Sequence, residues 1–179
     1  MSQYYYLAAQ LPNLVYGQGV PMSSQAFSEL AREHLSPQDA GELDCCTLDA
    51  VDNPCAKSEF VQKWNEWEKS LRLNLAKNRA KKLKREDEAA FDAIEYPFDA
   101  AAAAKTANSI ESPLDAEIFL DKARWTAIEH LQGFDAFSAN AIYAYKLKLL
   151  LMERLISFNA EEGYNEYKRL YAAIFWGQK

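Results

Sequence analysis

The sequence is poor in cysteine, glycine, proline and histidine, with 3, 6, 6 and 2 of them in 179 residues. So little glycine and proline excludes collagen, low-complexity linkers and turn-dense β-sandwiches. The cysteines, Cys45, Cys46 and Cys55, are odd in number and have no paired spacing. They point to a reducing compartment and not to a disulfide framework. No run approaches the ~20 apolar residues of a membrane span. The longest candidate, 141–158, is broken by Lys146, Lys148, Glu153 and Arg154. The opening MSQYYYLAAQLPNL has no basic region and no cleavage site, so no secretion signal is expected there. Positive charge is also in deficit. A net charge of -6 speaks against general nucleic-acid binding. With hydrophobic residues at 49%, the chain has ample material for a core, which excludes wholesale disorder.

What is present reads as helix. Ser112-Pro113-Leu114-Asp115 is a strong helix start: serine caps, proline suits the first turn, and aspartate favours the positive end of the dipole. The same signal occurs at Ser36-Pro37-Gln38-Asp39. Ser58 can cap a central helix with a stripe of Phe60, Val61, Trp64, Trp67, Leu71 and Leu75. Glu68 and Arg72, at i,i+4, read as surface support. A stretch at 86–94 should be helical up to Tyr96-Pro97. The five alanines Ala100–Ala104 favour helix and permit close backbone approach. Ile142, Tyr145, Leu149, Met152 and Ile156 form a heptad seam, and Tyr164, Tyr167, Tyr171 and Ile174 repeat that rhythm. Asn159 with Glu162 reads as a capping-box variant. Residues 4–9 fit a strand or a helix equally, and 11–21 reads as a loop.

The expected fold is therefore all-α. It is an elongated bundle of antiparallel helices with a C-terminal three-helix unit and a short irregular or extended N-terminal segment. Residues 1–56 form that segment with short helices, and 57–179 form the bundle. Its main helices are expected at about 58–85, 113–132, 138–158 and 160–176.

Chemistry is harder to find. His34 and His130 lack metal-ligand spacing, and the cysteines show neither Cys-x-x-Cys nor a partnered histidine pair. Gly17-Gln18-Gly19 lacks the third glycine of a dinucleotide loop, because position 22 is Met. Lys105-Thr106 follows alanines instead of phosphate-wrapping glycines. No catalytic residue, metal or cofactor is expected. One electrostatic feature stands out: residues 77–85, KNRAKKLKR, hold six cations and no anion, while the flanking stretches 1–76 and 86–179 are both net acidic. The bland reading is a solvated helix end. The functional one is contact with an acidic protein or an anionic surface through Lys77, Lys81, Lys84 and Arg85, which share a side on a helix. Trp176, near the terminus, is a candidate interface anchor. The other tryptophans and Tyr164, Tyr167 and Tyr171 are expected in the core.

The segments QYYYLAAQLPNL, LSPQDAGELDCCTLD, EFVQKWNEWEKSLRLNLAKNRAKKLKR and LDKARWTAIEHLQGFDAFSANAIYAYKLKLLLMERLISFNAEEGYNEYKRLYAAI resemble a small bacterial family of unknown function. That family is encoded beside V/A-type ATPase genes. It looks like the counterpart of the C-type stalk component of V-type ATP synthases, which is named d in eukaryotic V-ATPases. The resemblance implies a non-catalytic, all-helical adaptor between the central stalk and the membrane proteolipid ring. It implies a cytoplasmic location, peripheral at the inner membrane as part of the complex, with no nucleic-acid partner. It carries over no site residue. The alternative is a free-standing helical interaction module unrelated to the ATPase.

Overall fold

The computed structural model describes residues 4–49, 57–85, 98–158 and 160–176. The protein is all-α. The described residues form eight helices and no strand: α1 (Tyr5–Gln10), α2 (Ser24–Arg32), α3 (Pro37–Asp44), α4 (Glu59–Lys82), α5 (Phe98–Ser109), α6 (Pro113–Gln132), α7 (Ala139–Ser157) and α8 (Ala160–Trp176). The expected helix at 86–94, Cys55 and the cap at Asn159 lie outside the described residues.

Both Ser-Pro-x-Asp starts cap as their chemistry dictates. The Ser36 hydroxyl accepts from the Asp39 amide, and the Ser112 hydroxyl from the Asp115 amide. Ser138 caps α7 in the same way, through the Ala141 amide. Gly133 ends α6 at φ 73° and ψ -162°, a conformation a side chain would strain. Residues 5–10, open between strand and helix on sequence, are helical.

Helices α4, α5, α6 and α7 form the body. Phe60 meets Tyr143 near the starts of α4 and α7, with ring centroids 6.0 Å apart. Glu68 meets Arg124 midway along α4 and α6. Arg154, near the end of α7, reaches Glu117 near the start of α6 at 2.8 Å. So α4 and α7 run one way and α6 runs back between them. The Trp67 indole donates to Asp99 at 2.9 Å, which places the start of α5 beside the middle of α4. Ala100, Ala103, Ala104 and Ala107 are all buried, so α5 lies close against its neighbours, as its alanines permit. Trp64 and Trp67 stack at 5.9 Å and, with Leu71, Leu75, Leu120, Ile128 and Leu149, fill the core.

The N-terminal elements wrap this body. Glu153 of α7 accepts from the Ser24 amide and hydroxyl, both at 2.6 Å, and so helps cap α2. Asp39 of α3 accepts from the hydroxyls of Tyr4, Ser36 and Tyr143. The loop between α1 and α2 lies over α6 and α7. There the Tyr16 hydroxyl donates to the Ile118 carbonyl and the Tyr145 hydroxyl to that of Pro12.

Two sequence expectations are corrected here. Glu68 is not a surface residue. It is fully buried between α4 and α6, where Arg124 grips it through Nε and Nη2 at 2.9 and 3.0 Å, and Arg72 adds a third bond at 2.8 Å. Asp121, also fully buried, accepts from Arg124 Nη1 at 2.8 Å and lies 3.5 Å from Arg154 Nη1. The second correction concerns α8. Tyr164, Tyr167 and Tyr171 are not core residues but are 58%, 60% and 49% exposed. Among the described residues no helix packs along α8 as α6 packs on α7.

Removing one partner of a buried ion pair strands the other charge. Arg124→Met should therefore cost about 3–5 kcal/mol, read as a lower urea midpoint with an unchanged slope. Burial holds the Asp121 carboxyl above the ordinary aspartate range, against the opposing pull of Arg154 and Arg124. The folded state then keeps this proton to a higher pH than the unfolded chain does, so the contribution of Asp121 to stability falls as pH rises through the raised value. Asp121→Asn should flatten that part of the stability–pH curve, measured by urea unfolding across a pH series.

Candidate functional site

The helix directions bring the end of α4, the end of α5, the start of α6 and the end of α7 to one end of the bundle. The basic segment lies there. Helix α4 stops at Lys82, short of the expected Arg85, because Lys84 adopts a left-handed φ of 56°. The Lys84 amide bonds to the Lys81 carbonyl at 3.1 Å, and the Arg85 amide reaches back to Ala80 at 3.0 Å. This pair of bonds is a Schellman termination, a position where glycine is the usual occupant. Lys77 and Lys81 thus stand on the helix, while Lys84 and Arg85 follow its reversal. The four do not share one helical face. Lys81, Lys82, Lys84 and Arg85 are exposed and Lys77 is half-buried. Arg79 lies 3.9 Å from Glu117, beside the Arg154–Glu117 pair.

An apolar groove of about 320 Å³ opens at this end between α4, α5 and α6. Leu75, Leu83, Ala107, Ile110, Ala116 and Leu120 line it, with Arg79 and Lys82 also at its walls. Leu83 is 65% exposed and Ile156, close to the end of α7, 63%. Helix α8 departs from the same end, and Trp176 is its last residue. Sequence periodicity finds the α8 stripe but places it in the core. The groove has no sequence signal, because its walls come from three separate helices.

The opposite end holds a polar cavity of about 380 Å³ where the starts of α3, α4 and α7 converge. Asp39, Glu42, Lys57, Ser58, Asn140 and Tyr143 contribute to its lining. Glu42 Oε1 accepts from the Lys57 amide at 2.6 Å. Burial, followed by the bond to Asp39, pushes the Tyr143 hydroxyl pKa well up, so this phenol stays protonated and donating.

Other sequence candidates do not converge. His34 packs edge-on against Tyr6, and His130 is exposed in the last turn of α6. Burial pushes the Cys46 thiol far above its ordinary range, which suppresses the thiolate a nucleophile needs. Gly17 sits in a turn closed by the Gln18 amide on Val15, with no helix opening from it. Lys105 and Thr106 lie within α5. Among the described residues, no three His, Cys, Asp or Glu side chains are grouped to hold a metal ion.

A left-handed lysine is strained by about 1 kcal/mol relative to glycine. Lys84→Gly should raise stability by roughly 0.5–1 kcal/mol, read as a higher thermal midpoint.

A family model described as a protein of unknown function (DUF2764) matches residues 105–177, from within α5 to just beyond α8. No curated protein and no solved structure matches the chain.

Proposed function

We propose that the chain is a non-catalytic adaptor that acts through the basic end of the bundle, in the manner of the C-type stalk component of a V/A-type rotary ATPase. In that role it joins the central stalk to the proteolipid ring. The observation that carries the reading is the meeting of exposed cations and uncovered apolar side chains at one end of a tightly packed body. Apolar surface rimmed by charge is characteristic of protein-docking sites. The cation at Lys84 adds support, since it occupies a position where glycine would be more stable. A rigid body also suits the role: the aromatic core and the buried Glu68–Arg124–Asp121 cluster resist sliding of α4 against α6. No helix of the described residues is long and apolar enough to cross a membrane, so contact with the ring would be peripheral.

Long-range attraction between the basic end and an acidic partner is screened within about 8–10 Å at ordinary ionic strength. Reversing Lys77, Lys81, Lys84 and Arg85 to glutamate should therefore weaken recovery of stalk and ring proteins after mild-detergent purification. The loss should be greatest at low salt. Unchanged recovery would remove the basic end from the interface. Recovery of unrelated proteins, with no part of the ATPase, would favour a free-standing interaction module.

A further inference from the structure

Among the described residues, two buried side-chain oxygens have no hydrogen-bond partner, Asp121 Oδ2 and Glu42 Oε2. Asp121 stands in the ionic cluster, where Arg124 and Arg154 answer its charge. Glu42 has no such neighbour and forms no ion pair among the described residues. It is 5% exposed and lines the polar cavity where α3, α4 and α7 start. Only its Oε1 is bonded, by the Lys57 amide at 2.6 Å. A buried carboxylate oxygen without a donor is costly, and native proteins rarely leave one unanswered.

We propose that this cavity binds a small organic cation with a primary ammonium or guanidinium head, whose N–H groups donate to Glu42 Oε2. Such heads offer donors only, which suits an oxygen that can only accept. Charge favours the match. Asp39, Glu42 and Glu59 line the cavity, against the single cation Lys57. Asp39 is already engaged by three hydroxyls, and the exposed Glu59 pairs with Lys63 at 2.7 Å. These two add to the negative field, while Glu42 has the oxygen to give. Lys57 is exposed, and the group it offers Glu42 is its backbone amide. Lys146 comes up from α7, but its ammonium donates to the Leu43 carbonyl at 2.8 Å. Three helix starts point positive ends this way and would favour an anion, yet each is met from within the chain. Ser36 and Asp39 serve α3, Glu59 stands in the first turn of α4, and Ser138 caps α7. A metal ion would need a third grouped ligand, which the described residues do not provide. The volume of about 380 Å³ is at the small end of ligand pockets, which run from roughly 300 to 1,000 Å³. The site lies away from the basic segment and does not depend on the adaptor reading.

The test is a titration of the full-length protein with butylamine and butylguanidine at constant ionic strength, followed through the Lys57 amide resonance by NMR. Butanol and butyrate are the neutral and anionic controls of similar size. The two cations should shift that resonance saturably by about 50 mM, well above a millimolar Kd, and the controls should not. Glu42→Gln keeps an oxygen for the Lys57 amide and removes the charge. It should weaken cation binding by roughly tenfold or more in Kd, with helix content unchanged by circular dichroism. Lys57→Met keeps the backbone bond and removes the one lining cation. It should tighten binding by about twofold or more, a gain that misfolding cannot mimic. No saturable shift with either cation would overturn the proposal, as would controls that bind equally well. A folded Glu42→Gln protein that binds as before would also overturn it. If Glu42→Gln does not fold, Lys57→Met decides alone, and binding that is unchanged or weaker in that variant overturns the proposal.

Discussion

Two carboxylates and a guanidinium lie almost wholly out of water in the middle of this bundle, and the arrangement around them depends on their staying paired. Glu68 and Asp121 are 0% exposed and Arg124 4%. Removing such groups from water costs several kcal/mol each, and the cost is offset only by near-ideal geometry. Arg124 supplies that geometry with a forked grip on Glu68 and a third bond to Asp121. Sliding α4 by one residue along α6 would strand every member. The cluster therefore sets register more than it adds net stability. Through Arg154 it extends to α7, and through Glu117 to Arg79 on α4. The groove and the basic segment are held in place by this ionic chain, which continues toward their end of the bundle.

That chain is invisible in the sequence for a physical reason. Periodicity registers apolar side chains, and a charged residue in a helical stripe reads as solvated. Glu68 with Arg72 has the spacing of ordinary i,i+4 surface support, and nothing local announces Arg124, 56 residues on. Local chemistry is far more legible. The Ser-Pro-x-Asp starts follow from their caps, and the helicity of the α5 alanines and the extent of α8 follow from propensity and spacing. The stop of α4 does not, because a lysine holds the left-handed position that normally shows itself as glycine. The fate of the α8 tyrosines is equally hidden. A heptad says that one face is apolar and not what covers it.

The two ends of the bundle differ in how their polar groups are satisfied. At one, Asp39 gathers three hydroxyls and Glu42 bonds the chain just before α4, so helix starts are neutralised by carboxylates of the same molecule. At the other, cations complement the end of α4 yet remain exposed to solvent. The first end gathers these bonds around a polar cavity, where Glu42 Oε2 is buried without a partner, and the second presents its cations to solvent.

Glu153 gives this asymmetry a consequence for where the folding unit begins. It lies inside the segment matched by the family model, yet both its oxygens are bonded by Ser24, far outside that segment. The same segment leaves Trp64, Trp67 and Leu71 of α4 on the far side of any cut at residue 105, although they complete its core. A fragment starting there would bare the inner faces of α6 and α7 and leave Arg124 without its main counter-ion. Such a fragment should be insoluble or molten when expressed alone. The limit of the matched segment is thus a boundary of alignment, and the cooperative unit reaches back at least to α2.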